Sequence, residues 1–230
     1  MNDNIVELCD VTRIYPQGQL EVRAVDGVNL TLKKGEFTAL VGPSGSGKTT
    51  TLNLIGALDQ PTGGRIEVEG MSLTGLSRSA LARLRRDRIG FVFQAYNLIP
   101  VLTAYENADF VLELQGVRES ERRDRVMEIL DEVGLAGMGD RRPDELSGGQ
   151  QQRVAIARAI VTRPAIVLAD EPTANVDSET AETLLAIMER LNREHGITFV
   201  FSTHDDRVMK RARRIVRMRD GRIEEDQVQG

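Results

Sequence analysis

At 230 residues the chain is long enough to bury a substantial core, and it fits one domain or one domain with a sizeable insertion. Hydrophobic residues at 40% and charged residues at 28% are ordinary for a globular protein, while the absence of Trp and an aromatic content of 4% leave few stacking platforms for nucleic acid. A formal net charge of −5 argues against binding mainly by neutralising a phosphate backbone, and no apolar run approaches the roughly 20 residues of a membrane span.

The amino-terminal stretch MNDNIVELCD is acidic where a secretory signal is basic and then apolar, and Cys9 has no intramolecular partner. Both features point to the cytoplasm. Cys9 itself reads as a small filler on a strand face. The first predicted strand covers 5–8, followed by strands at 28–32 and 37–41, and several of the later runs lack polar alternation, as strands buried on both faces of a parallel sheet do.

After the strand at 37–41 the chain reads Gly42, Pro43, Ser44, Gly45, Ser46, Gly47, Lys48, Thr49, which satisfies G-x-x-x-x-G-K-[ST], and a helix is predicted from Thr50 to about residue 58. Glycines let such a loop fold back so that consecutive N–H groups point at phosphate oxygens, and the helix N-terminus adds its partial positive charge. Lys48 is placed to reach β- and γ-phosphates and Thr49 to offer a hydroxyl to Mg²⁺, with Thr50 completing the binding set.

A strand at 89–93 ends at Gln94. From about 95 to 160 the pattern is helical with no convincing strand; Val126, Ile129, Leu130 and Val133 follow helical spacing, and Gly134 supplies a stop. A buried strand at 166–169 then delivers Asp170 and Glu171 to the carboxyl edge of the sheet, where ligands of open α/β sheets bind. Asp170 is suited to hold Mg²⁺ through its water shell, and Glu171 to accept a proton from an attacking water. Leu184, Leu185, Met188 and Leu191 mark a helix with Ser178 as its expected N-cap and Gly196 beyond its end. Strands at 198–201 and 215–218 follow, and only a short polar tail is expected after Gly221. His195, in the last turn of the predicted helix, reads as structural.

The segment Leu146, Ser147, Gly148, Gly149, Gln150, running into Gln151, Gln152, Arg153, resembles the signature motif of ABC ATPases. Its physics is readable without the name: Ser147 caps a helix whose first N–H groups form a second anion site, with two glycines permitting close approach. The resemblance covers about residues 5–224. It implies a P-loop NTPase fold of the ABC ATPase type: an α/β architecture with a mainly parallel core sheet, an antiparallel β region near the N-terminus and a helical insertion. One domain, 1–230, is expected, with a RecA-like core at about 1–94 and 161–230 and a helical subdomain at about 95–160.

It further implies that Ser147, Gly148, Gly149 and Gln150 of one subunit close on the ATP held by its partner, giving a homodimer with two ATP molecules between subunits. Tyr15 matches the adenine-stacking aromatic, Gln94 the glutamine that touches Mg²⁺, and His204 the histidine that contacts the γ-phosphate. The stretch Asn175, Val176, Asp177 resembles the loop joining the two sites, with valine where leucine is usual. The residues at 53–62, 90–94, 97–100 and 169–173 are similar to the group of lipoprotein-release, macrolide-exporter, cell-division and antimicrobial-peptide-resistance ATPases. The implied function is ATP hydrolysis that drives export or extraction through separate integral-membrane subunits, from a peripheral position on the inner face of the membrane and with no nucleic-acid partner. Unless the chain is a fragment, a fused macrolide-type exporter is not expected, since no membrane segment follows Gly230.

Tyr96, Leu98, Ile99, Leu102 and Tyr105 form an apolar cluster that suits either a docking site for a membrane subunit or ordinary core packing. Soluble ABC ATPases of DNA repair or ribosomes usually carry two fused halves or a long coiled coil, neither of which is present, and a non-hydrolysing subunit would lack Lys48 or Glu171. The basic run from Arg207 to Arg219 reads as a solvated face offset by the acidic tail at 224–226, with contact to a membrane surface as the alternative.

Overall fold

Two kinds of strand organise the molecule, described here by a computed structural model over residues 3–18 and 20–229. β1 (Asn4–Gln17) and β2 (Leu20–Lys33) are long antiparallel partners with Val6, Leu8, Val11, Val25, Val28, Leu30 and Leu32 turned inward. Their register slips between Leu8 and Val11, where Asp10 takes a positive φ of 51°, the signature of a bulge. β3 (Phe37–Val41) is buried along its whole length and leads through the loop 42–47 into α1 (Lys48–Ile55).

β4 (Gly63–Val68) and β5 (Met71–Ser72) complete a four-stranded antiparallel sheet in the order β2-β1-β4-β5. Then come α2 (Arg78–Arg88), β6 (Ile89–Phe93), α3 (Ala104–Leu114), α4 (Glu119–Glu132), a 3₁₀ turn (Pro143–Glu145) and α5 (Gly148–Ile160). β7 (Ile166–Asp170), α6 (Ser178–His195), β8 (Thr198–Thr203), α7 (Asp206–Arg211), β9 (Arg214–Arg219) and β10 (Arg222–Val228) finish the chain. The second sheet has the order β10-β9-β3-β8-β7-β6 and is parallel except for its β10 edge.

Alternation along the parallel strands sorts their side chains into two cores, one on each face. Phe37, Ala39, Val41, Val167, Ala169, Phe199 and Phe201 pack with α3 to α7, whereas Leu40, Ile166, Leu168, Val200 and Val216 pack with α1, α2 and the antiparallel sheet. Phe37 anchors the first core, its ring centroid 4.7 Å from Phe201 and 5.7 Å from Phe199. The unalternating hydrophobicity of these strands is thus the consequence of covering on both sides.

Three expectations need correction. The segment after Gly221 is a strand: Asp220 and Gly221, with φ of 48° and 79°, make the tight hairpin that pairs β10 with β9. Its apolar pattern is weak because most of it is exposed at the sheet edge, where Arg217–Glu225 (3.0 Å) and Arg214–Asp226 (2.7 Å) hold it. Second, α6 is capped by Asp177 rather than Ser178; the Asp177 carboxylate accepts from the Thr180 N–H at 2.9 Å and its hydroxyl at 2.6 Å. Those bonds also hold the Asp177 carboxyl below its ordinary pKa. Third, α1 begins at Lys48, not Thr50, and ends at Ile55. No helix among the described residues is long and apolar enough to cross a membrane.

Candidate functional site

Register aligns the carboxyl ends of four neighbouring parallel strands. Val41 lies opposite Thr203, Asp170 opposite Ser202, and Phe93 opposite Asp170, so the loops that follow β3, β8, β7 and β6 open on one edge. Glycine shapes the first of these loops. Gly42 has φ 154°, and a Cβ there would lie 2.2 Å from the Met218 carbonyl oxygen, so no other residue fits between β3 and β9. Ser46 is buried, and its carbonyl accepts from the Gly221 N–H at 3.1 Å, which fastens the loop to the β9–β10 hairpin.

Lys48, 7% exposed, bends back across the loop and donates to the carbonyls of Gly42 (2.8 Å) and Pro43 (3.0 Å). The ammonium is thereby held inside the ring of backbone that the α1 N-terminus faces, which is where an anion is met by both N–H groups and charge. Thr49 donates its hydroxyl to Asp170 Oδ1 at 2.9 Å, joining α1 to the end of β7. Glu171 has φ 46°, a disfavoured conformation for a residue with a side chain, and its N–H donates to the Ser202 carbonyl at 2.8 Å. That turn directs the carboxylate to its neighbours from β8: His204 Nδ1 lies 2.8 Å from Oε1, and the Thr203 hydroxyl donates to Oε2 at 3.2 Å. Glu171 is largely enclosed while His204 is 76% exposed, so the histidine presents an open face beside a fixed carboxylate.

Gln94 is joined to the loop after β7 through Asn175, whose amide donates to the Gln94 carbonyl at 2.9 Å, with the two side-chain amides 3.4 Å apart. Thr49, Asp170 and Gln94 are hard oxygen donors with a single carboxylate among them, and no cluster of three or more His, Cys, Asp or Glu that could hold a metal occurs among the described residues. Such a set fits Mg²⁺, which keeps waters and phosphate ligands, better than an ion that needs a full protein cage. Next to the site, Asp205 caps α7. Burial alone would raise its carboxyl, but the Arg207 guanidinium at 2.8 Å and the Thr173 hydroxyl at 2.7 Å outweigh that and hold it at about 2.

Two of the expected site elements make their hydrogen bonds elsewhere. Tyr15, on β1, donates its hydroxyl to Asp59 at 2.5 Å, and Arg13, paired with Asp59 at 2.8 Å, lies over the ring with its guanidinium 4.5 Å from the centroid. Ser147 caps α5 in a reciprocal box: its hydroxyl accepts from the Gln150 N–H at 3.3 Å, and Gln150 Oε1 accepts from the Ser147 N–H at 2.9 Å. The glycines behind it have an internal reason as well, since a Cβ on Gly149 would lie 2.3 Å from Thr180 Cγ2. The contacts of Ser147 and of Tyr15 thus run to their own surroundings, while Lys48, Thr49, Gln94, Asp170, Glu171 and His204 all lie at or just beyond the aligned carboxyl ends of β3, β6, β7 and β8.

Several residues that build the site were given no role from the sequence. Gln152, fully buried on α5, donates to the Pro172 carbonyl at 2.7 Å. Asn107 donates to the carbonyls of Ile99 (3.1 Å), Leu102 (3.0 Å) and Thr103 (2.9 Å) and accepts from the Ile99 N–H at 2.8 Å, fixing the loop before α3. In the apolar cluster near that loop, Leu98 and Tyr105 are half-buried and pack against the core. Val101 (71% exposed) precedes α3, and Phe110 (40%) and Leu114 (53%) lie on it. The run from Arg207 to Arg219 is largely paired: Arg211 with Glu182 and Glu189 (both 2.7 Å), Arg214 with Glu36 (3.0 Å) and Asp226. His195 lies 3.3 Å from Glu132 on α4, away from the site.

Comparison with known proteins agrees with this geometry. Residues 25–174 match the family described as ABC transporter. The chain is 48% identical over 222 residues to the lipoprotein-releasing system ATP-binding protein LolD of Anaeromyxobacter dehalogenans, covering 96% of this chain and 93% of that one. It is 46% identical over 226 residues to the macrolide export ATP-binding/permease protein MacB of Hyphomonas neptunium, covering 98% of this chain but only 35% of that longer protein. The chain therefore spans about a third of the length of the MacB relatives it matches. A dimeric structure of a post-hydrolysis state of the ATP-binding cassette MJ0796 bound to ADP and Pi superposes with a TM-score of 0.90 at 44% identity, covering 97% of this chain and 98% of that one.

Proposed function

The chain belongs to the ABC transporter family, as an ATP-binding member, and from that premise we propose that it hydrolyses ATP as a homodimer and drives export or extraction of a substrate through integral-membrane subunits. The observation that carries the reading is the convergence of Lys48, the Thr49–Asp170 contact (2.9 Å) and the Glu171–His204 contact (2.8 Å) on one edge of the parallel sheet.

The chemistry follows from those positions. The loop N–H groups of 42–47 and Lys48 hold the β- and γ-phosphates, and Lys48 exchanges its two loop carbonyls for phosphate oxygens. Thr49, Gln94 and Asp170, the last through water, are the residues that would hold Mg²⁺, which neutralises charge on the phosphate oxygens. Glu171, fixed by Thr203 and His204, accepts the proton of the attacking water and orients its lone pair in line with the bond to be broken. His204, open on its other side, contacts the γ-phosphate. Tyr15, steadied by Asp59, takes the adenine ring on its face.

Ser147, Gly148, Gly149 and Gln150 offer the free N–H groups of the α5 N-terminus to the ATP of a second copy, so each site is completed by the partner's signature segment. The dimeric state of the cassette that superposes on this chain supports that arrangement. The division into a RecA-like core at about 1–94 and 161–230 and a helical subdomain at about 95–160 is part of the same reading, as is a peripheral position on the inner face of a membrane. The exposed apolar pair Val101 and Phe110 supports docking of a membrane subunit at the α3 end of the molecule. Lipoproteins, peptides and antibiotics are the substrate classes in view, the chain being similar both to a lipoprotein-releasing system ATP-binding protein and to a macrolide export ATP-binding/permease protein.

Lys48→Ala tests the site. No other cation lies in the loop to meet the phosphates, so turnover is expected to fall to background in a phosphate-release assay. Undiminished nucleotide affinity and hydrolysis would refute the assignment.

A further inference from the structure

Between Gln94 and the apolar loop at 98–103 the chain makes a turn that is unfavourable on its own. Tyr96 and Asn97 are consecutive residues with positive φ, 59° and 49°, a conformation that side chains disfavour and that surroundings must impose. The turn is gripped from two directions. On one side the Tyr96 hydroxyl donates to the Asn175 carbonyl at 3.1 Å, in the loop that leads to α6. On the other, Arg158 of α5 extends its guanidinium to both carbonyls of the turn, donating Nη2 to Tyr96 O at 2.9 Å and Nη1 to Asn97 O at 2.5 Å.

Arg158 is unusual among the arginines of this chain. Most of the others whose contacts are described pair with carboxylates, whereas Arg158 has no carboxylate within ion-pair distance among the described residues and spends its donors on backbone. Burial pushes its guanidinium pKa down, so the charge is kept at a cost that backbone dipoles alone offset. An arginine in that setting is not there for solubility or for a surface ion pair. Its planar fork suits two neighbouring carbonyls, which a point charge on a flexible stem does not match.

The placement links two functional elements. Arg158 lies on the same helix as Ser147, whose N-terminal N–H groups form the second anion site, and the turn it holds begins at Gln94, which reaches Asn175. We propose that Arg158 is a positioning residue for ATP hydrolysis: by clamping the Tyr96 and Asn97 carbonyls it sets Gln94 and the signature helix α5 relative to one another, so that neither moves without the other. The inference rests on the roles given above to Gln94 and to ATP turnover. Gln152 of the same helix donates to the Pro172 carbonyl at 2.7 Å and, at 3.4 Å, to the Phe93 carbonyl just before Gln94, while the two carbonyls of the turn itself are held by Arg158.

The test is a double-mutant cycle in the full chain, reading ATPase rate against Mg²⁺ concentration at a temperature below the melting range of every variant. Arg158→Met is expected to lower kcat by about tenfold to a hundredfold, the scale of losing buried charge-assisted hydrogen bonds, and to raise the Mg²⁺ concentration for half-maximal rate. Affinity for ATP in EDTA should change by less than about twofold, because the loop 42–47 is untouched. Arg158→Lys, which keeps the charge and can satisfy one carbonyl, should recover part of the loss, and it serves as the cycle partner if Arg158→Met does not fold. In the Gln94→Ala background the Arg158 substitution should cost little more, under about threefold, since its route is already cut.

An undiminished loss in the Gln94→Ala background, or a normal Mg²⁺ dependence in the Arg158 variant, would overturn the proposal and leave Arg158 as a purely structural clamp. If Gln94→Ala alone is silent while the native chain turns over ATP, the role of Gln94 falls and the route with it. A native chain without turnover would instead refute the function itself.

Discussion

Glu171 shows how a single backbone angle serves chemistry here. Its positive φ (46°) is held by the Ser202 carbonyl and turns a carboxylate that would otherwise follow the strand toward Thr203 and His204. The neighbouring Asp205 carries a consequence that can be measured with pH. Its folded-state carboxyl sits at about 2, below the usual 3.8, so the Asp205–Arg207 pair contributes stability that is complete above about pH 4 and is lost as pH falls toward 2. The melting temperature of Asp205→Asn should therefore lie below that of the native chain at neutral pH, and the gap should close between pH 4 and pH 2. A gap that stays constant across that window would show that the pair does not hold the carboxyl down.

At the scale of elements, the loop before α3 depends on one buried amide. Asn107 satisfies three carbonyls and one N–H, and α3 itself starts from a capping box between Thr103 and Glu106. Asn107→Ala takes the side-chain partner from the Ile99 N–H and the Leu102 carbonyl, while the Ile99 and Thr103 carbonyls keep the backbone N–H groups of Leu102 and Asn107, and it should cost about 1–3 kcal/mol in urea denaturation, with a loosened 98–103 loop seen as faster amide exchange. Unchanged stability would mean that water reaches the loop and replaces the amide. Asn107 carries no sequence signal, and Gln152 and Arg158, although they follow the signature segment, are not marked by it for the bonds they make. Each works on backbone carbonyls, and backbone carbonyls have no residue type. The loop 42–49 was legible for the opposite reason: its glycines, lysine and threonine are contiguous and match one recognisable pattern. β4 and β10 were missed because antiparallel strands with one exposed face show too few apolar residues, although the turn pairs Glu69-Gly70 and Asp220-Gly221, all with positive φ, were a readable hairpin sign.

For the whole molecule, the parallel strands were legible because burial on both faces leaves no polar alternation, and their order in the sheet then follows from register and not from any local pattern. That order, β3-β8-β7-β6, is what places Lys48, His204, Glu171 and Gln94 side by side from four distant parts of the chain. Ser147 shares no described hydrogen bond with Lys48, which leads to a prediction at this scale. Mixing Lys48→Ala chains with Ser147→Arg chains should produce some dimers in which one site has an intact phosphate loop facing an intact signature, and nucleotide crosslinking should label that site. Failure of the mixture to show any cross-complemented site would place the signature segment in service of its own chain's nucleotide, or of none.

The central claim, a site in which binding closes two subunits and Glu171 performs the proton transfer that releases them, is tested most directly by Glu171→Gln. Glutamine keeps the size and an acceptor oxygen but cannot take the proton from water, and it removes a negative charge that repels the triphosphate. Turnover should fall by about 10²–10⁴-fold while Lys48, Thr49 and Asp170 continue to hold nucleotide. On gel filtration, Glu171→Gln should run as a stable dimer with Mg²⁺ and ATP and as a monomer with ADP. Hydrolysis at the native rate would place the base elsewhere, with His204 the next residue to test, and a variant that stays monomeric with Mg²⁺ and ATP would contradict the closed dimer.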